Sequence, residues 1–149
     1  MFKKILVPLD GSPMAEAVLP YVRRMAVEDG AEVELLNVTM VPISAYPVDA
    51  PLDFDQLLKQ QHDASDQYLK KVADDIGHDG IKVTPLIAEG PVAEEILAYA
   101  ESTGADLIAM STHGRSGISR WLMGSVADKV LHGAKVPVLL IRPNEAKKG

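Results

Sequence analysis

The chain has 149 residues, 47% of them hydrophobic and 24% charged, with a formal net charge of -6. That length suits one domain over residues 1–149, able to bury roughly two-thirds of its unfolded surface without staples. The absence of Cys excludes disulfides, thiolate metal sites and a cysteine nucleophile, and the acidic balance argues against nucleic acid as a partner, so any phosphate must be held locally against the global field.

The opening apolar run, Ile5 to Val7, is too short for a secretory core, and Asp10 closes it. No stretch approaches the roughly eighteen apolar residues of a membrane span. The expectation is a cytoplasmic chain with no membrane insertion.

Lys4 to Leu9 is an apolar run rich in branched residues, which predicts a strand buried on both faces. Asp10-Gly11-Ser12-Pro13 follows, with Ser12 suited to a helix N-cap and Pro13 to the first helical position. Met14, Ala17, Val18, Tyr21, Val22 and Met25 then recur at helical spacing. Pro20 is expected to kink this helix and Gly30 to end it. Ala31 to Met40 reads as a second buried strand. A loop of about a dozen residues with Pro42, Pro47 and Pro51 comes next, longer than most connections.

Asp53 starts a long helix with Phe54, Leu57, Leu58, Tyr68, Leu69, Val72 and Ile76 on one face. Its polar stretch, Lys59 to Asp66, is expected to overhang the core. Gly77 to Gly80 is a turn. Ile81 to Ala88 is the third strand, placed at a sheet edge because Pro85 has no ladder donor. Gly90-Pro91 opens a helix carrying Val92, Ile96, Leu97 and Ala100, ended near Gly104. Ala105 to Ser111 is the fourth strand and Thr112 to Met123 a loop. Gly124-Ser125 precedes a short helix, Val126 to His132, and Val136 to Ile141 is the fifth strand.

This alternation implies an α/β fold: an open five-stranded parallel sheet of order 3-2-1-4-5, Rossmann-like, with helices on both faces. Ligands of such sheets bind beyond the carboxyl ends of the strands, where the strand order reverses. The first and fourth strands flank that point, so the site is sought at Pro8-Leu9-Asp10-Gly11 and Met110-Ser111-Thr112-His113-Gly114.

The stretch Ser111 to Val126 carries the chemistry. Gly114 and Gly117 can take positive φ and let backbone approach a ligand, and Gly124-Ser125 repeats this where a helix begins. A helix N-terminus offers unpaired N–H groups and partial positive charge, which favour phosphate. Arg115, Ser116 and Ser125 add donors. Alone, the loop reads equally well as a plain strand-to-helix connection. It is neither a Walker A loop nor a dinucleotide fingerprint.

Two readings of Asp10 stand side by side. It can cap the Ser12-Pro13 turn, or it can serve a ligand. A bare carboxylate 4 Å from a phosphate charge is repelled by about 4 kcal/mol at an effective dielectric of about 20. In the second reading it therefore hydrogen-bonds an uncharged part of the ligand or meets phosphates through Mg²⁺. His113 is expected to bond its own loop, and Arg120 to reach phosphate or solvent. Asn37-Val38-Thr39 fits a glycosylation acceptor but falls in a buried strand. No set of nucleophile, base and orienting group emerges, so no catalytic residue is assigned and an enzyme is not expected.

Gly114, nine residues, then Gly124-Ser125 resembles the nucleotide loop of the universal stress proteins. The segments KKILVPLDGS and VPVLLIRP resemble that family's first and last strands, and the likeness spans essentially the whole chain. Ser111 stands where the family pattern has its first glycine. The resemblance implies a fold of the adenine nucleotide alpha hydrolase type and ATP or ADP as ligand, with Mg²⁺. It implies that Pro8, Leu9 and Asp10 line the crevice, that Val38 touches adenine and that Met110 packs near base or ribose. Gly114, Arg115, Ser116, Gly124, Ser125 and Val126 then surround ribose and phosphates. It further implies a stress-response regulatory protein with an unidentified protein partner, dimerising through Val136 to Ile141. A slow ATPase using the same loop, and an interaction protein of the same fold without nucleotide, are the alternatives.

Overall fold

Five apolar runs become five parallel strands: β1 (Lys4–Pro8), β2 (Glu32–Thr39), β3 (Val83–Glu89), β4 (Leu107–Ser111) and β5 (Val138–Ile141). Their order is β3-β2-β1-β4-β5, as the sequence predicts. The structure is a computed structural model that describes residues 1–39, 53–112 and 123–143. Among these residues four α-helices alternate with the strands: α1 (Leu19–Asp29), α2 (Phe54–Gly77), α3 (Val92–Thr103) and α4 (Met123–Gly133).

Alternating residues of the central strands divide the core into two layers. Ile5, Val7, Val33, Leu35, Leu107 and Ala109 face α1 and α2, packing with Val22, Leu69, Val72 and Ile76. Leu6, Leu36, Val38, Ile108 and Met110 face α3 and α4, packing with Ile96, Ala100, Val126 and Val130. Strands covered on both faces need no polar alternation, which is why Ile5 to Val7 and Leu107 to Met110 are continuously apolar.

Pro85 lies opposite Leu35 in β3, which pairs only with β2 and forms one edge. The missing donor there faces away from the ladder. Half-buried β5 forms the other edge.

The first crossover differs from the sequence expectation. Ser12 and Pro13 do not start an α-helix. A short 3-10 turn, Ala15–Val18, intervenes, and α1 begins at Leu19. Pro20 therefore sits in the first turn of α1, where its missing N–H costs no bond and produces no kink. Gly30 and Gly104 end their helices in the left-handed region, with φ of 66° and 73°. In α2, Asp53 accepts from the Gln56 N–H at 3.1 Å, and the buried positions are Leu69, Val72 and Ile76. The amino-terminal half extends past the core, as its polar stretch predicts.

Candidate functional site

The strand order reverses between β1 and β4, so the main chain leaving these two strands diverges. Leu9, just past β1, still donates its N–H to the Leu36 carbonyl at 2.9 Å. Asp10 follows, 1% exposed. Its Oδ1 accepts the Ser12 N–H at 2.8 Å and also the Ser12 hydroxyl. Gly11, at φ 87°, makes the tight reversal possible. The Ser12 hydroxyl oxygen accepts the Ala15 N–H at 3.2 Å and starts the 3-10 turn. Asp10 thus does perform the capping role.

Ser111 ends β4 and is 1% exposed. It falls on the same face as Leu107 and Ala109, and its hydroxyl donates to the Ala15 carbonyl at 3.1 Å. The side chain that replaces the family glycine is therefore held inside the fold, on the opposite face of β4 from Met110.

Val38, Met110 and Val126 come from three distant parts of the chain. They are brought into one buried cluster at the carboxyl end of the sheet, each 7% exposed or less. Gly124 and Ser125 precede Val126 and are exposed. Both lie inside the first turn of α4, not ahead of it. Gly124 is therefore right-handed helical, and its use is a missing side chain, not a positive φ. Helix-start N–H groups are the kind of donor an anion needs. Gly114, Arg115, Ser116 and Gly117 lie outside the described residues, as do His113 and Arg120.

Residues to which the sequence assigned no site role frame the Asp10 turn. The Asn37 amide donates to the Leu9 carbonyl at 2.8 Å, and Ser65 of α2 donates to Asn37 Oδ1 at 2.8 Å. The Tyr68 hydroxyl donates to Glu16 at 3.1 Å. Burial first, then the Glu16 carboxylate, push the Tyr68 phenol well above its ordinary range, so it remains a donor. An Asn inside the apolar run Leu35 to Val38 was the one visible sign of this frame.

Among the described residues, no group of three or more His, Cys, Asp or Glu is placed to hold a metal. No described helix is long and apolar enough to cross a membrane. A cavity of about 220 Å³ lies away from the strand carboxyl ends, lined by Leu97, Ala100, Ile108, Ala134 and Val136.

This architecture defines an open parallel α/β protein whose strand order reverses between β1 and β4, with the buried cluster of Val38, Met110 and Val126 and the start of α4 near the strand ends. The sequence model of the universal stress protein family matches residues 1–142. The chain belongs to that family. A universal stress protein of Methanocaldococcus jannaschii, MJ0531, is 35% identical over 95% of this chain and 83% of its own. The solved structure of MJ0577, from the same organism, is 28% identical with a TM-score of 0.80, covering 98% of this chain and 99% of its own. A family protein of Arabidopsis thaliana solved with AMP bound shares the fold at 17% identity and a TM-score of 0.64, covering 95% and 92%.

Proposed function

We propose that this universal stress protein, a single domain over residues 1–149, is a regulatory module that binds ATP or ADP with Mg²⁺ at the mouth of its sheet. It acts in the cytoplasm by binding, not by catalysis. The observation that carries the reading is the convergence of Val38, Met110 and Val126 beside an exposed Gly124-Ser125 helix start. Such a place offers an apolar floor for a base and main-chain donors for phosphates. A fold-mate solved with AMP bound supports the reading.

In this reading Pro8, Leu9 and Asp10 line one wall, and Val38 and Met110 meet base and ribose. Gly114, Arg115, Ser116, Gly124, Ser125 and Val126 surround ribose and phosphates. The donor set is main-chain amides and hydroxyls, which suits phosphate, and Asp10 is the carboxylate that would reach a phosphate-bound Mg²⁺. The turn around Asp10 responds to occupancy and alters recognition of a protein partner. The apolar edge strand β5 pairs with its counterpart in a homodimer, because an exposed edge is a template for pairing.

Acid extraction of purified protein, followed by mass spectrometry, tests the reading. The expected result is a co-purified adenine nucleotide at near-stoichiometric amount. No extracted nucleotide, together with no calorimetric binding of any adenylate, would contradict it. Phosphate release that survives repeated purification and is lost in Gly114→Ala would favour the ATPase alternative. Light scattering at working concentration is expected to give the mass of a dimer.

A further inference from the structure

We propose that Asn37 is a positioning residue for the strand-end site, and that through Ser65 it makes helix α2 part of the frame that sets nucleotide affinity. The ligand arm of this inference rests on the nucleotide reading above. The structural arm does not.

Asn37 is 6% exposed and lies between Leu36 and Val38 in a strand covered on both faces. An amide there is costly unless satisfied, and any branched apolar residue would fit the strand better. It is satisfied by two bonds that point in different directions. Nδ2 donates to the Leu9 carbonyl, and Oδ1 accepts from Ser65 Oγ, both at 2.8 Å.

The first bond falls where the sheet can no longer hold β1. The ladder between β1 and β2 ends at Pro8 opposite Leu36, and the Leu9 N–H makes one more bond to β2. The next peptide joins the Leu9 carbonyl to the Asp10 N–H. Because a peptide is planar, holding that carbonyl also fixes the Asp10 N–H and the direction in which Asp10 leaves the strand. Asp10 then carries the Ser12 turn, which leads to Ala15 and across to Ser111 of β4. One path of hydrogen bonds therefore crosses the reversal point from β2 to β4.

The second bond reaches α2, a helix with no residue in the expected nucleotide contact set. Ser65 lies in the polar stretch, one turn before Tyr68, which bonds Glu16 in the 3-10 turn that follows Ser12. Helix α2 thus makes two adjacent ties ahead of its apolar grip at Leu69, Val72 and Ile76, Ser65 to Asn37 of β2 and Tyr68 to Glu16 of the turn after Asp10.

The test uses the full chain and two readouts. Amide hydrogen exchange followed by NMR is expected to rise about tenfold at Asp10, Gly11 and Ser12 in Asn37→Leu and in Ser65→Ala, with Ile5 and Ile108 unchanged. Titration calorimetry with Mg·ADP is expected to show a three- to tenfold loss of affinity in Ser65→Ala, restored in Ser65→Thr, which keeps the hydroxyl. Ser65 is half-buried on a helix, so this variant folds even where Asn37→Leu does not. A Ser65→Ala protein with a lowered melting temperature but unchanged exchange at Asp10 to Ser12 and unchanged Mg·ADP affinity would make Asn37 an ordinary satisfied core amide and overturn the proposal. If the unaltered protein binds no Mg·ADP, the nucleotide reading fails, and the exchange result alone decides the positioning role.

Discussion

The hydroxyl of Ser111, at the end of β4, donates to the carbonyl of Ala15 in the turn that follows β1, at 3.1 Å. This bond joins the end of β4 to the turn that follows β1, on the face covered by α1 and α2. It also explains how a serine occupies a position where the family pattern has glycine: the side chain is held in the core and is 1% exposed. Ser111→Gly is expected to cost about 1–2 kcal/mol, from one lost buried hydrogen bond and added unfolded-state freedom. Mg·ADP affinity is expected to change less than threefold. Chemical denaturation and calorimetry on the same preparation check both halves.

Asp10 combines a structural bond with a charge. Asp10→Asn keeps an acceptor for the Ser12 N–H and removes the charge. Its stability is expected to stay within about 1 kcal/mol of the parent, since one acceptor substitutes for another. Its ATP affinity is expected to lose most of its dependence on Mg²⁺. Calorimetry with and without Mg²⁺ measures that difference.

Tyr68 makes a pH-dependent contribution whose sign follows from its environment. An ordinary phenol ionises near 10.0, and burial with the Glu16 carboxylate raises the folded value above it. A raised folded value means the stabilisation is complete below 10.0 and declines as pH rises beyond it. Tyr68→Phe removes a hydrogen bond worth about 1 kcal/mol at neutral pH. The gap in melting temperature between parent and variant is expected to narrow from pH 9 to pH 11, about one unit either side of the ordinary phenol value.

Lys4 and Glu34 form a largely buried pair at the other end of the sheet, with Lys4 Nζ 3.5 Å from Glu34 Oε1 and 2.9 Å from the Thr103 carbonyl. Glu34 Oε2 is buried without a hydrogen-bond partner. Removing only Lys4 leaves that carboxylate uncompensated. Lys4→Met is therefore expected to cost about 2–4 kcal/mol, and the Lys4→Met, Glu34→Leu double variant to recover most of it. Urea denaturation of the single and double variants gives the coupling.

The strands were legible because burial on both faces imposes continuous apolar runs, as at Ile5 to Val7 and Leu107 to Met110. The edge position of β3 was legible from one residue, Pro85. Element ends were less so. Local preference put a helix start at Ser12-Pro13, but Asp10 takes both the N–H and the hydroxyl of Ser12, and the chain turns before α1 begins. The clustering of Val38, Met110 and Val126 was legible only through the family resemblance. The frame behind it, Asn37, Ser65, Tyr68 and Glu16, joins elements 28 and 52 residues apart through side chains, which periodicity does not encode.

Gly124, exposed in the first turn of α4, is the position where a side chain would most directly block approach to the helix-start amides. Titration of Mg·ADP into nucleotide-free protein and into its Gly124→Val variant weighs the whole account. Saturable one-to-one binding by the parent, weakened at least a hundredfold in a variant that melts within a few degrees of it, is the predicted result. Equal binding by both proteins, or heat from neither, would contradict it.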